Sequence, residues 1–96
     1  MKIRISRAAR GDLKDIWRFG ADRWSIERAD RYGVELMEAI GRLALNPFLA
    51  PVALGLDEGT RRLVSGSHVV IYVVRGEVLD VQRVLHQSRD AGRWVE

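Results

Sequence analysis

The apolar run Val69-Val70-Ile71-Tyr72-Val73-Val74 lies between two short glycine-centred segments, Ser65-Gly66-Ser67 and Arg75-Gly76-Glu77. Nothing else in the chain restricts its fold as much. Alternation sends Val69, Ile71 and Val73 to one face of a strand and Val70, Tyr72 and Val74 to the other, and both sets are apolar. Such a strand belongs in the middle of a sheet. Glycine between β-branched runs permits tight turns, so Arg61 to His86 is expected to form three antiparallel strands joined by two hairpins.

The last of these strands places Leu79, Val81, Arg83 and Leu85 on one side. Val78, Asp80, Gln82, Val84 and His86 make up the other, wetter side. The strand runs out into a polar cluster, Arg83, His86, Arg89 and Asp90, at the end of a rigid sheet where side chains are held well enough to recognise a partner. Trp94, beyond the strand, is expected to be an exposed aromatic contact beside that cluster.

Before the sheet, the pattern changes twice. Lys2 to Ser6 alternates with Ile3 and Ile5 on one side, as a short half-buried strand does. Ser6 can then cap a helix of some eighteen residues, about 27 Å long, whose apolar stripe is Ala9, Leu13, Ile16, Trp17, Gly20 and Trp24. Ser25 occupies a second N-cap position. A second stripe follows, Ala29, Tyr32, Gly33, Leu36, Ile40, Leu43 and Ala44, until Asn46-Pro47 stops the helix. With almost no linker between them, the two helices are expected to fold back as an antiparallel hairpin in which Gly20 and Gly33 allow close approach, and Trp17 and Trp24 join the core. Phe48 to Gly59 reads as a loop. The fold class is therefore α+β: a short N-terminal strand, then a helical hairpin packed on one face of an antiparallel sheet.

At 96 residues the chain is long enough for one core and is read as a single domain, 1–96. With no Cys the core rests on apolar packing, for which 47% hydrophobic residues suffice. That absence, and the lack of any apolar run long enough for a signal peptide or a bilayer span, point to a soluble, cytoplasmic protein with no membrane contact. The net charge of +3 would suit nucleic acid, but acidic and basic residues are interleaved along the helices, as in Asp12, Lys14, Asp15 and Arg18. That pattern describes solvated helix faces. No sequence-specific nucleic-acid binding by this chain alone is expected.

Catalytic signatures are sparse. His68 and His86 stand a strand pair apart with no Cys to join them, so no metal or other cofactor is expected. Asp57 and Glu58 adjoin on a loop and point apart. The candidate for chemistry is acid-base cleavage of RNA by His86 with Arg61, Arg62 and Arg83, which leaves one of the three necessary roles unfilled because Gln87 cannot transfer a proton. The alternative for Arg83 is an ion pair with a helix carboxylate, Asp12 or Asp15. The alternative for His86 is a hydrogen bond to Asp90 or to the backbone.

Several stretches, taken in order, carry a resemblance: Asp12-Leu-Lys-Asp-Ile-Trp17, Ala29-Asp-Arg-Tyr-Gly33 with Leu36, Asn46-Pro47, Arg61 to Tyr72, and Arg83-Val-Leu-His86 with Arg89-Asp90. The chain resembles the ParE toxins of type II toxin-antitoxin systems, within the RelE/ParE superfamily. This resemblance implies the fold just derived. It further implies a non-enzymatic toxin that binds DNA gyrase and is neutralised by a ParD-like ribbon-helix-helix antitoxin. RelE-like relatives instead cleave messenger RNA on the ribosome with basic residues on the sheet and an acid-base group near the last strand, often a His followed by Tyr, where this chain has Gln87. A third alternative is a toxin fold that has lost its toxicity. On the inhibitor reading Arg83, His86, Arg89 and Trp94 contact the target, while Trp24, Tyr32, Leu36 and Ile40 contact the antitoxin.

Overall fold

The structure, a computed structural model, describes residues 1–89. In chain order it comprises β1 (Lys2–Ile5), α1 (Arg7–Arg23), α2 (Ile26–Leu45), β2 (Arg61–Ser65), β3 (His68–Arg75) and β4 (Val78–His86), followed by a 3-10 turn at Gln87–Arg89. The strands form one sheet in the order β1-β4-β3-β2. As its double-sided apolar pattern requires, β3 is internal, and Val69, Val70, Ile71 and Tyr72 are all buried. Asp57, Glu58 and the rest of the loop from Phe48 to Gly59 connect the helices to β2, held down where the Tyr72 hydroxyl donates to the Pro47 carbonyl at 2.7 Å.

The sheet is mixed, not wholly antiparallel. β2, β3 and β4 pair antiparallel as expected, but β1 pairs in parallel with β4, Lys2 opposite Val78 and Ile5 opposite Val81. The helical hairpin is the connection that parallel pairing needs between β1 and the rest of the sheet. α1 and α2 then bury Ala9, Ile40 and Leu43 against Val70, Tyr72, Leu79, Val81 and Val84, with Leu13 and Ile16 packed at the margin.

Both helix caps follow the sequence. The Ser6 hydroxyl accepts from the Ala9 N–H, and the Ser25 hydroxyl from the Arg28 N–H at 3.1 Å. Gly20 is a close-approach point: a Cβ there would lie 3.3 Å from Cβ of Ala29. Gly33 is not, since nothing stands within 4 Å of its would-be Cβ. This contact also explains why the tryptophans are not core. Helices that meet at Gly20 and Ala29 leave no space between them for an indole, and Trp17 (38% exposed) and Trp24 (56%) go to the rim. There Trp17 donates from Nε1 to Asp30 at 2.7 Å, and Trp24 lies beneath the Arg28 guanidinium.

Gly66 and Gly76 begin the two hairpin turns with φ of +58° and +59°, the sign a type II′ turn demands at its first central residue. They differ in one respect. A Cβ on Gly76 would meet nothing within 4 Å, whereas one on Gly66 would lie 2.8 Å from the Tyr32 ring and hydroxyl. Gly76→Ala is therefore expected to cost about 1–2 kcal/mol from backbone strain alone. Gly66→Ala should cost about 1 kcal/mol more, because Tyr32 must also move. Urea unfolding of the two variants measures the difference, and equal losses would mean that Tyr32 yields freely.

Candidate functional site

A cavity of about 950 Å³ opens between the helices and the far end of β3 and β4. Ile16, Phe19 and Trp24 give it an apolar end, and Tyr32, His68 and His86 a polar one. The register of the β3–β4 pair sets His68 directly opposite His86. Their rings stand edge to face, 5.4 Å between centroids. The expectation that these histidines lie apart is corrected by this pairing, although no group of three or more metal-ligating side chains forms among the described residues.

Hydrogen bonds to the backbone fix how each ring presents itself. The Ser67 N–H donates to the Tyr32 hydroxyl at 3.0 Å, and that hydroxyl meets His68 Nδ1 at 2.6 Å. With the Ser67 N–H donating to its oxygen, the tyrosine can turn its proton to His68 Nδ1, and in that arrangement Nε2 is the protonated nitrogen of a neutral imidazole. Burial lowers the His68 pKa, and the neighbouring His86 pushes the same way. Burial likewise raises the Tyr32 pKa, against the hydrogen bond from Ser67. His86 is exposed and takes the Ser88 N–H on Nδ1 at 3.1 Å, with the Ser88 hydroxyl at 2.9 Å, so it too carries its proton on Nε2. Behind them, Gln87 ties the 3-10 turn to the β2–β3 hairpin through the carbonyls of Ser67 and Gly66.

Arg83 belongs to a different assembly. Its guanidinium grips Asp12 on α1 with two bonds, Nε at 2.8 Å and an Nη at 2.9 Å, and the same carboxylate accepts the Val84 N–H at 2.9 Å. Burial by itself would raise the Asp12 pKa, but the hydrogen bonds from Arg83 and Val84 outweigh it and hold the carboxyl below its ordinary value. Of the partners open to Arg83 in sequence, Asp12 is the one it takes.

The residues named for RNA cleavage are not brought together. Arg61 pairs with Tyr72, four residues along β3 from the partner of His86, a separation of about 13 Å at the usual strand rise. Its guanidinium donates to the Ala50 carbonyl at 2.7 Å and lies over the Phe48 ring. Arg62 sits beside it, opposite Ile71. Of the residues expected to meet a target, His86 and Arg89 border the cavity, Arg83 is held by Asp12, and Trp94 and Asp90 lie outside the described residues.

The residues expected to meet an antitoxin divide as well. Trp24 is exposed and Tyr32 half-buried, but Ile40 (0% exposed) is packed in the core and Leu36 (1%) is buried at the floor of the groove between the helices. Ile40 packs against the sheet, so its exposure would require the fold to open. An apolar surface does exist on the other side of the hairpin, where Leu13, Trp17, Val34 and Met37 line a groove of about 510 Å³ between the helices. Val34 and Met37, outside the apolar stripe, had no signal in sequence beyond their own apolarity.

The family model for the ParE toxin of type II toxin-antitoxin systems, parDE, matches residues 3–91. Toxin ParE1 of Mycobacterium tuberculosis is 42% identical over 90 residues, covering 93% of this chain and 92% of that protein. Toxin ParE1 of Caulobacter vibrioides is 44% identical over 88 residues, with 92% and 91% covered. Among solved structures, the chromosomal ParDE toxin-antitoxin system from P. aeruginosa aligns with a TM-score of 0.78 at 19% identity, over 90% of this chain and 95% of that one. A chain of the RelBE2 toxin-antitoxin complex from Mycobacterium tuberculosis aligns at 0.66 and 22% identity, over 90% and 96%. These two alignments establish the fold.

Asp12→Ala removes three hydrogen bonds and is expected to cost about 2 kcal/mol, the exposure of Arg83 keeping the loss below that of a fully buried pair. The Asp12 pKa is lowered by folding, so its contribution is complete above the unfolded value of 3.8 and lost as pH falls through the folded value. The stability gap between wild type and Asp12→Asn, read from urea titrations, should thus be constant above about pH 5 and narrow in more acid solution. A gap that does not change with pH would remove Asp12 from this role.

Proposed function

The chain belongs to the ParE family of toxins of type II toxin-antitoxin systems, and from that premise we propose that it stops growth by binding DNA gyrase, with no chemistry of its own, and is held inactive by a ParD-like ribbon-helix-helix antitoxin. The observation that carries the inhibitor reading is the commitment of the cations. Arg83 is spent on Asp12, and Arg61 on the Ala50 carbonyl at the other end of the sheet. A phosphorane formed near His86 would have neither of these sheet cations beside it, and its charge would fall instead to Arg89 of the terminal turn and to Arg28 and Arg31 of α2. The exposed end of the sheet, with His86 and Arg89, is left as a surface for recognition.

The antitoxin reading is supported by the uncovered apolar residues of the helical hairpin. Trp17, Val34 and Met37 are exposed together along one groove, and Trp24 is exposed at the edge of the cavity, apolar surface of the kind that a partner covers. An acidic segment that folds as it binds suits a basic chain of this kind. The interface should exceed about 2,000 Å² and the complex should be nanomolar or tighter.

A ribosome-dependent nuclease is the second reading, favoured by the placement of His68 beside His86. The two readings part at His86→Ala. Loss of a proton-transfer group would lower cleavage roughly 10²- to 10⁴-fold and abolish toxicity. Loss of one contact in a gyrase complex is worth about 1–2 kcal/mol and should weaken toxicity only in part. Expression of the wild type without antitoxin is expected to give filamentous cells and a DNA-damage response while translation continues, and the purified toxin to inhibit gyrase supercoiling. Early fragmentation of messenger RNA, lost in His86→Ala, would replace the inhibitor with the nuclease.

A further inference from the structure

The two histidines have both of their Nδ1 atoms engaged within the protein, by Tyr32 and by Ser88. Each ring therefore offers an Nε2–H. Among the described residues neither of these donors has a protein acceptor, and both rings line the same cavity. A paired arrangement of donors, pre-set by backbone-anchored bonds, is what holds an anion with two acceptor oxygens.

The charges around the pair favour an anion of low charge. From α1 come Asp12 and Asp15, and the first of these is neutralised by Arg83. From α2 come Arg28, Arg31 and Glu35, beside Tyr32, and the 3-10 turn contributes Arg89. Three guanidiniums therefore face two carboxylates, an excess of one positive charge when both histidines are neutral. A nucleic-acid backbone would bring many phosphates against Asp15 and Glu35, whereas one acidic side chain matches the excess. At the other end of the same cavity, Ile16, Phe19 and Trp24 give an apolar wall for another side chain of the same segment.

We propose that this end of the β3–β4 pair is an oxyanion-receiving site, in which the Nε2–H groups of His68 and His86, flanked by Arg89, hold a side-chain carboxylate of the antitoxin. The proposal rests on the antitoxin reading above and adds a polar anchor in the cavity that Trp24 borders.

The test uses the full chain and the antitoxin encoded beside it. Affinity is followed by calorimetry, and His86→Phe, at an exposed position, should bind about tenfold more weakly than wild type, as the loss of one hydrogen bond to a carboxylate implies. Nitrogen NMR of the histidine side chains supplies a readout that does not depend on the variant. Sodium acetate added to the free toxin should move both Nε2 signals, and complex formation should move them further. A tight complex with unmoved Nε2 signals and undiminished affinity in His86→Phe would overturn the carboxylate site while leaving the antitoxin reading intact. Failure of wild-type toxin to form any complex would overturn both. A response to a short oligonucleotide in place of acetate would assign the site to nucleic acid and overturn the proposal.

Discussion

β4 outlasts β1, and the structure is organised around that mismatch. Parallel pairing ends with Ile5 opposite Val81, yet β4 continues to His86. Beyond that point one edge of the strand would leave its backbone groups without a ladder, a cost that folded proteins avoid. Here the start of the helical hairpin takes over. The Ser6 N–H donates to the Val81 carbonyl, the Ser6 hydroxyl donates to the Gln82 carbonyl, and Asp12 accepts from the Val84 N–H while holding Arg83. A cap and an ion pair thus continue the sheet edge in side chains. The same contacts fix where α1 crosses β4.

That crossing decides what the cavity can be. With α1 fixed at Asp12 and α2 brought against it at Gly20 and Ala29, Phe19 and Trp24 stand at one end of the cavity and Tyr32 over the other. Tyr32 then fills the space above Gly66, where any side chain would collide with it, and reaches His68. The histidine pair is consequently supported from the helices as well as from the sheet. A site on a rigid sheet end with a second layer of hydrogen bonds holds its geometry before a partner arrives.

Much of this was legible in the residues. The two glycine turns, the double-sided strand and both serine caps carry local signals, because each depends on one or two neighbouring residues. The helical stripes were legible as stripes. Their assignment to a partner-binding face was not, since periodicity shows that Leu36 and Ile40 share a side without showing whether that side meets a sheet or solvent. Parallel pairing of β1 is equally silent in sequence, for the pattern Lys2 to Ser6 fits either direction. The histidine pair failed for a sharper reason. Counting outward from Arg75 and Val78 sets Leu85 opposite His68, and one extra residue at the irregularity between Ile71 and Tyr72 brings His86 there instead. A bulge in a buried strand has no turn residue to announce it. It also carries Val84 to the same cluster as Val81, which strict alternation would have kept apart.

The partnership of β1 with β4 also has a meaning for how the molecule comes into being. Lys2 is made before both helices, and its partner Val78 is made only after them and two other strands. During synthesis β1 has no place to pair, and the helical hairpin has no completed sheet on which to lay its stripe. Contacts so distant along the chain form late, and until they form the apolar surfaces they will cover stay open. The nascent chain therefore passes through a period in which its cavity does not exist, because the opposing histidine of the pair has yet to be made. Whatever the finished surface recognises, it recognises only once β4 has been made and paired.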